Sequence, residues 1–97
     1  MRVIAKKILR EFWDKHKDAE EHLKAWYKEA SKASWNSPND IKSQYSKASI
    51  LKGGRVVFDI LGNKYRIVVE INYSRNWVFI RFVGTHNEYD KIDAEKI

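Results

Sequence analysis

Residues 55–83 read RVVFDILGNKYRIVVEINYSRNWVFIRFV, and this stretch decides the fold. Arg55 to Leu61 is rich in Val, Phe and Ile and reads as the first of three strands. Gly62-Asn63 supplies a turn. From Lys64 to Tyr73 the apolar positions Tyr65, Ile67, Val69, Ile71 and Tyr73 then alternate with more polar neighbours. Ser74-Arg75-Asn76 makes a second tight connection, and Trp77 to Val83 is a third strand with Val78, Ile80 and Phe82 as its inward face. Strands joined by turns this short pair antiparallel, because parallel pairing needs a long crossover.

The sequence before this meander has a helical period. Ile8, Leu9, Phe12 and Trp13 fall on one helix face, with Lys6, Lys7, Arg10, Asp14 and Lys15 elsewhere. After a break near Lys17, Asp18 followed by Glu21 has the spacing of a capping box, and Leu23, Trp26, Tyr27 and Ala30 form the second buried stripe. Ser37-Pro38-Asn39-Asp40 is a helix start, with Ser as cap and Pro at the first helical position, predicting a short turn towards Gln44. Arg2-Val3-Ile4 has the length of a brief edge strand. The expected architecture is α+β: two N-terminal helices packed on one face of a small antiparallel sheet, in a single domain over residues 1–97.

Composition narrows the chemistry. The chain has 97 residues, enough for one core, and fills it with four Trp, five Tyr and four Phe. With no cysteine there is no disulfide, no Cys-ligated zinc and no thiol catalysis. No stretch approaches the roughly 18 apolar residues of a membrane span. Met1 to Lys7 is basic but lacks the apolar core of a secretory signal, so the cytoplasm is the expected compartment, without a membrane partner. The net charge of +6 fits an anionic partner such as nucleic acid, and equally a basic surface that keeps a small protein soluble.

The third strand runs into Phe79-Ile80-Arg81-Phe82-Val83-Gly84-Thr85-His86-Asn87-Glu88-Tyr89-Asp90. This block resembles the C-terminal signature of HigB-type toxins, in which a strand arginine precedes Thr-His, two variable residues and Tyr-Asp. The resemblance takes in the Arg2-Val3-Ile4 opening, the two N-terminal helices, the Ser37-Pro38 region, and the Gly62-Asn63 hairpin followed by Tyr65-Arg66. It implies a RelE-like fold of the RelE/ParE superfamily and a type II toxin that cuts messenger RNA in the ribosomal A site. It also implies a cognate antitoxin, HigA-like with a helix-turn-helix, through which alone the complex would meet operator DNA.

Cleaving RNA through its own 2′-hydroxyl needs a base for that hydroxyl, a cation for the developing phosphorane and an acid for the leaving oxygen. The sequence shows no clustered carboxylates or histidine pair suited to divalent ions, so a metal-free route with no cofactor is expected. His86 stands outside the helical third, and imidazole suits either proton-transfer role. Arg81 offers a planar fork to phosphate oxygens, and Tyr89 offers a hydroxyl and a stacking face. Lys64, Arg66 and Arg55, on neighbouring strands, and Thr85 beside His86 are the expected RNA-binding residues. Strict alternation puts Arg81 with Thr85 and opposite His86, so Arg81 and His86 converge only if the strand ends near Gly84 and turns.

Each assignment has a structural counterpart. His86 also suits a strand end, Tyr89 a packing anchor, and Lys64 with Arg66 a solvated strand face. His16 and His22, six apart, are poorly spaced for joint metal ligation and read as surface or helix-end residues. The lysines at 6, 7, 15, 17, 24 and 28 interleave with acids as solvated faces, and Phe12, Trp13, Trp26 and Tyr27 read as core. Two other functions stay open on the sequence: a ParE-like toxin that inhibits gyrase, and a basic module that binds RNA without cutting it.

Overall fold

The computed structural model describes residues 1–97. In chain order the elements are β1 (Arg2–Ile4), α1 (Lys6–Lys15), a 3-10 turn (Lys17–Ala19), α2 (Glu20–Lys32), α3 (Pro38–Gln44), β2 (Ser49–Ile50), β3 (Arg55–Ile60), β4 (Tyr65–Asn72), β5 (Trp77–Thr85) and α4 (His86–Tyr89). The five strands form one sheet in the order β1-β5-β4-β3-β2. The expected β3-β4-β5 meander is antiparallel, and β1 lies parallel to β5 at the edge. This is the α+β arrangement expected from the change of period along the chain.

Helices α1 and α2 cover one face of the sheet. Leu9, Trp13, Leu23, Trp26 and Ala30 meet Val56, Phe58, Ile67, Val69, Val78 and Ile80 in the main core. Trp35, between α2 and α3, is also buried there and stacks on Phe58 at 6.0 Å. The second face is covered too, beyond the cover of one face expected from the two helices. Val57, Val68 and Ala94 form a small core of their own, flanked by Leu51, Phe82, Tyr89, Ile92 and Ile97. The consecutive buried residues Val56, Val57 and Phe58 in β3 are the local signature of a strand covered on both sides.

Three local expectations are corrected. Asp18 does not cap α2, whose N-cap is Ala19 without a side-chain bond. The Asp18 carboxylate instead accepts from Lys64 Nζ at 2.5 Å and Tyr65 Oη at 2.6 Å, neutralising a cation of the β3–β4 turn. Second, the register of β4 with β5 shifts between Val68 and Val69: Val68 pairs with Phe82 and Val69 with Ile80, leaving Arg81 as an extra, unpaired residue. A bulge of this kind reverses the alternation beyond it. Phe82 therefore joins the second core instead of continuing the inward face of Val78 and Ile80. Arg81 faces that second side, where it bonds Glu70, whereas Thr85 pairs with Tyr65 on the helix side, so the two do not share a face.

Third, the strand expected over Trp77 to Val83 runs on through Gly84 to Thr85 before the chain turns. Glycine is needed at this position for close approach. A Cβ there would lie 2.4 Å from Phe82 Cζ and 3.0 Å from Glu88 Oε1.

Candidate active site

The end of the sheet carrying the β3–β4 turn and the end of β5 is where chemistry-bearing side chains gather. There the backbone N–H of His86 donates to the Lys64 carbonyl oxygen at 3.1 Å, one step beyond the last strand pair. The chain then turns into α4 under a capping box. Thr85 Oγ1 accepts from the Glu88 N–H at 3.2 Å, and the Thr85 N–H donates to Glu88 Oε1 at 2.8 Å. That second bond is the main reason the Glu88 carboxyl titrates below its ordinary range.

An open cleft of about 550 Å³ lies against this turn, lined by His16, Asn63, Lys64, Tyr65, Thr85, His86 and Asn87. His86 is half exposed, and its Nδ1 is 3.0 Å from Asp90 Oδ2 one helical turn on. A carboxylate beside one ring nitrogen leaves the other free for proton transfer. Lys64 Nζ stands 5.5 Å from the Tyr65 ring centre, tied to Asp18. The Asp18 bond raises the pKa of the Lys64 ammonium and of the Tyr65 hydroxyl, and lowers that of Asp18 itself through Lys64 first and Tyr65 second.

Of the expected residues, the cleft unites His86, Lys64 and Thr85. Arg66 and Tyr89 sit together on the other side of α4, the guanidinium 5.7 Å from the ring centre. Arg66 is only 13% exposed, with Nε 3.2 Å from Asp59 Oδ1 and Nη1 donating to the Asn63 carbonyl oxygen at 2.7 Å. Arg81 and Arg55 lie on the second face and converge on a single carboxylate, Glu70. Arg81 Nη2 reaches Glu70 Oε1 at 2.6 Å and Arg55 Nη1 reaches Oε2 at 3.2 Å. The Arg81 bond first, with the Arg55 charge added, holds the Glu70 carboxyl below its usual range. Arg55 also donates to the Ile97 carbonyl oxygen from Nε at 2.9 Å and Nη2 at 2.5 Å, binding the C-terminal segment to the sheet.

His16 is a cleft residue that its sequence context presents only as a helix end. A signal was present: Phe12 and His16 are four apart, so the sheet-facing stripe of α1 carries on into His16. His22 is not part of the cleft.

A family model described as a RelE-like toxic component of a toxin-antitoxin system, HigB_toxin, matches residues 19–92. The chain is also similar to the mRNA interferase toxin HigB of Escherichia coli (strain K12), 27% identical over 96 residues, 97% of this chain and 92% of the relative. The mRNA interferase HigB of Shigella flexneri matches to the same extent. That of Escherichia coli O6:H1 is 23% identical over 94 residues, 95% of this chain and 91% of the relative.

Proposed function

The chain belongs to the RelE-like HigB toxin family, the toxic components of toxin-antitoxin systems, and we propose that it is an endoribonuclease that stops translation by cutting messenger RNA in the ribosomal A site. The observation that carries the reading is the cleft itself: an imidazole paired with a carboxylate, an ammonium and a capped turn with open space in front of them. His86, held by Asp90, takes the proton of the 2′-hydroxyl as that oxygen attacks phosphorus. Lys64 leaves Asp18 for the phosphorane oxygens, whose growing charge draws a cation more strongly than a surface carboxylate does. Thr85 sets His86 in place through the cap and lies beside the scissile group. The scheme asks only for proton transfer and cationic neutralisation, with no metal ion or other cofactor.

Tyr89 and Arg66, on the far flank of α4, suit a neighbouring nucleotide through ring stacking and a phosphate contact. Arg55 and Arg81 share one carboxylate, which leaves a surplus positive charge on the second face for the incoming strand. The openness of the site supports dependence on the ribosome. A half-exposed histidine in a wide cleft does not hold a flexible strand in line, and the decoding site supplies that alignment. The partner side is a cognate antitoxin, of the helix-turn-helix HigA type, with operator DNA reached only through the complex. Action on ribosomes places the toxin in the cytoplasm, and no helix is long and apolar enough to cross a membrane.

The test is to map RNA 5′ ends after adding purified protein to a messenger with and without translating ribosomes. Cuts inside codons that appear only with ribosomes are expected. His86→Ala should lose about 10²–10⁴-fold in cleavage rate, the usual worth of a general acid or base. Arg81→Ala, which removes a cation outside the cleft, should mainly raise the concentration needed. No new ends under either condition would overturn the reading, and supercoiling assays with gyrase would then decide for the ParE-like alternative.

A further inference from the structure

Two imidazoles line the cleft, and the second comes from the helical layer. His16 is the C-cap of α1, its backbone N–H donating to the Phe12 carbonyl oxygen at 2.9 Å. Its ring is stacked on Phe12 (centroids 4.2 Å apart, planes at 19°) and meets the Tyr65 ring edge-on at 5.5 Å. Phe12 and Tyr65 are themselves in edge contact at 5.3 Å, so the imidazole belongs to a three-ring cluster that restricts its rotamers. The ring nitrogens make no hydrogen bond within the protein, unlike those of a histidine that serves as a structural strut.

The charged groups around it are all committed elsewhere. Asp18 from the 3-10 turn accepts from Lys64 of the β3–β4 turn and Tyr65 of the sheet, and Glu88 of α4 accepts from the Thr85 N–H. His86 of α4 is paired with Asp90, and Lys17 is near Asp14 at 3.9 Å. The charge of His16 is one of the smaller influences lowering the Glu88 pKa, which puts the imidazole within electrostatic reach of the α4 turn. His16 lies outside the residues matched by the family model.

We propose that His16 is the second proton-transfer residue of the cleft, the general acid that protonates the leaving 5′-oxygen while His86 acts as the base. This rests on the ribonuclease reading above. The division follows from Asp90: a carboxylate on Nδ1 stabilises the imidazolium that forms as His86 takes a proton, which is the base's task. In the step, the 2′-oxygen bonds to phosphorus and its proton passes to His86. The bond from phosphorus to the 5′-oxygen breaks, and that oxygen takes a proton from His16. The products are a 2′,3′-cyclic phosphate and a 5′-hydroxyl, with charge and protons balanced.

The experiment uses the full chain on ribosomes with a defined A-site messenger, comparing wild type with His16→Gln and with His16→Phe, which keeps a ring against Phe12 and Tyr65. Both variants should melt near wild type and cleave about 10²-fold more slowly, as expected for loss of a general acid. The alkaline fall of the pH–rate profile, where an acid loses its proton, should disappear. A messenger with sulfur in place of the scissile 5′-oxygen carries a leaving group that needs no proton. It should restore His16→Gln to within a few-fold of wild type and leave His86→Gln slow. Wild-type rates and pH profile in both variants would overturn the proposal, and so would an equal loss on the sulfur substrate, the mark of a packing or binding role. Failure of the wild-type protein to cut would be a different result, removing the ribonuclease reading itself.

Discussion

The Asp18 carboxylate ties the helical layer to the sheet through Lys64 Nζ and Tyr65 Oη, and those two bonds lower its pKa from 3.8. A carboxyl depressed by folding contributes stability that is fully present above its unfolded pKa and is lost as pH falls through the folded one. Asp18→Asn is therefore expected to lower the melting temperature at neutral pH and to flatten the acid limb of the stability curve below about pH 3.8. Thermal melts from pH 2 to 7 check this, and parallel acid limbs in the two proteins would count against the linkage. The sequence presents Asp18 as a helix cap because its spacing to Glu21 satisfies a local rule. Its actual partners are 46 and 47 positions away, beyond the reach of any local rule. His16 was nearer to being legible, since its placement follows from helical spacing to Phe12 once the sheet-facing side of α1 is known.

At the scale of elements, α4 is only four residues long and owes its position to its cap. The box makes two reciprocal bonds between Thr85 and Glu88 and so fixes where the chain turns out of the sheet with His86. Thr85→Ala should cost about 1 kcal/mol of stability, the usual worth of an N-cap side chain. It should also reduce cleavage by more than that loss of fold explains, because His86 is then freed to fray. Thr85→Ser keeps the hydroxyl and should retain both properties. Equal cleavage by Ala and Ser variants would separate the cap from the chemistry. The main strands and the first two helices were legible because each holds its period long enough to be recognised. Ser49–Ile50 is too short for that. The bulge at Arg81 leaves no period of its own; it moves Phe82 to the face opposite the one alternation predicts and separates Arg81 from Thr85.

Across the whole molecule, the sheet is clamped between two cores of very different size, eighteen buried residues on the helix side and three on the other. The C-terminal segment beyond α4 builds much of the smaller one: Ala94 is buried in it, with Ile92 and Ile97 packed alongside, next to Tyr89 of α4. Helix α4 thus stands at the sheet's end with His86 turned to the cleft and Tyr89 turned to the smaller core. Because the two cores share the strands but not the helices, weakening the smaller one should loosen α4 while the meander stays intact. Ile92→Ala removes a half-buried side chain, for which a loss of about 1–2 kcal/mol is expected, below that of a fully buried aliphatic. Hydrogen exchange should rise from His86 onwards and remain slow in β3 and β4, and cleavage should fall with the exchange. Faster exchange at 86–97 with full cleavage would mean that the ribosome re-forms the site on binding, and α4 would then be ordered by its substrate instead of by the smaller core.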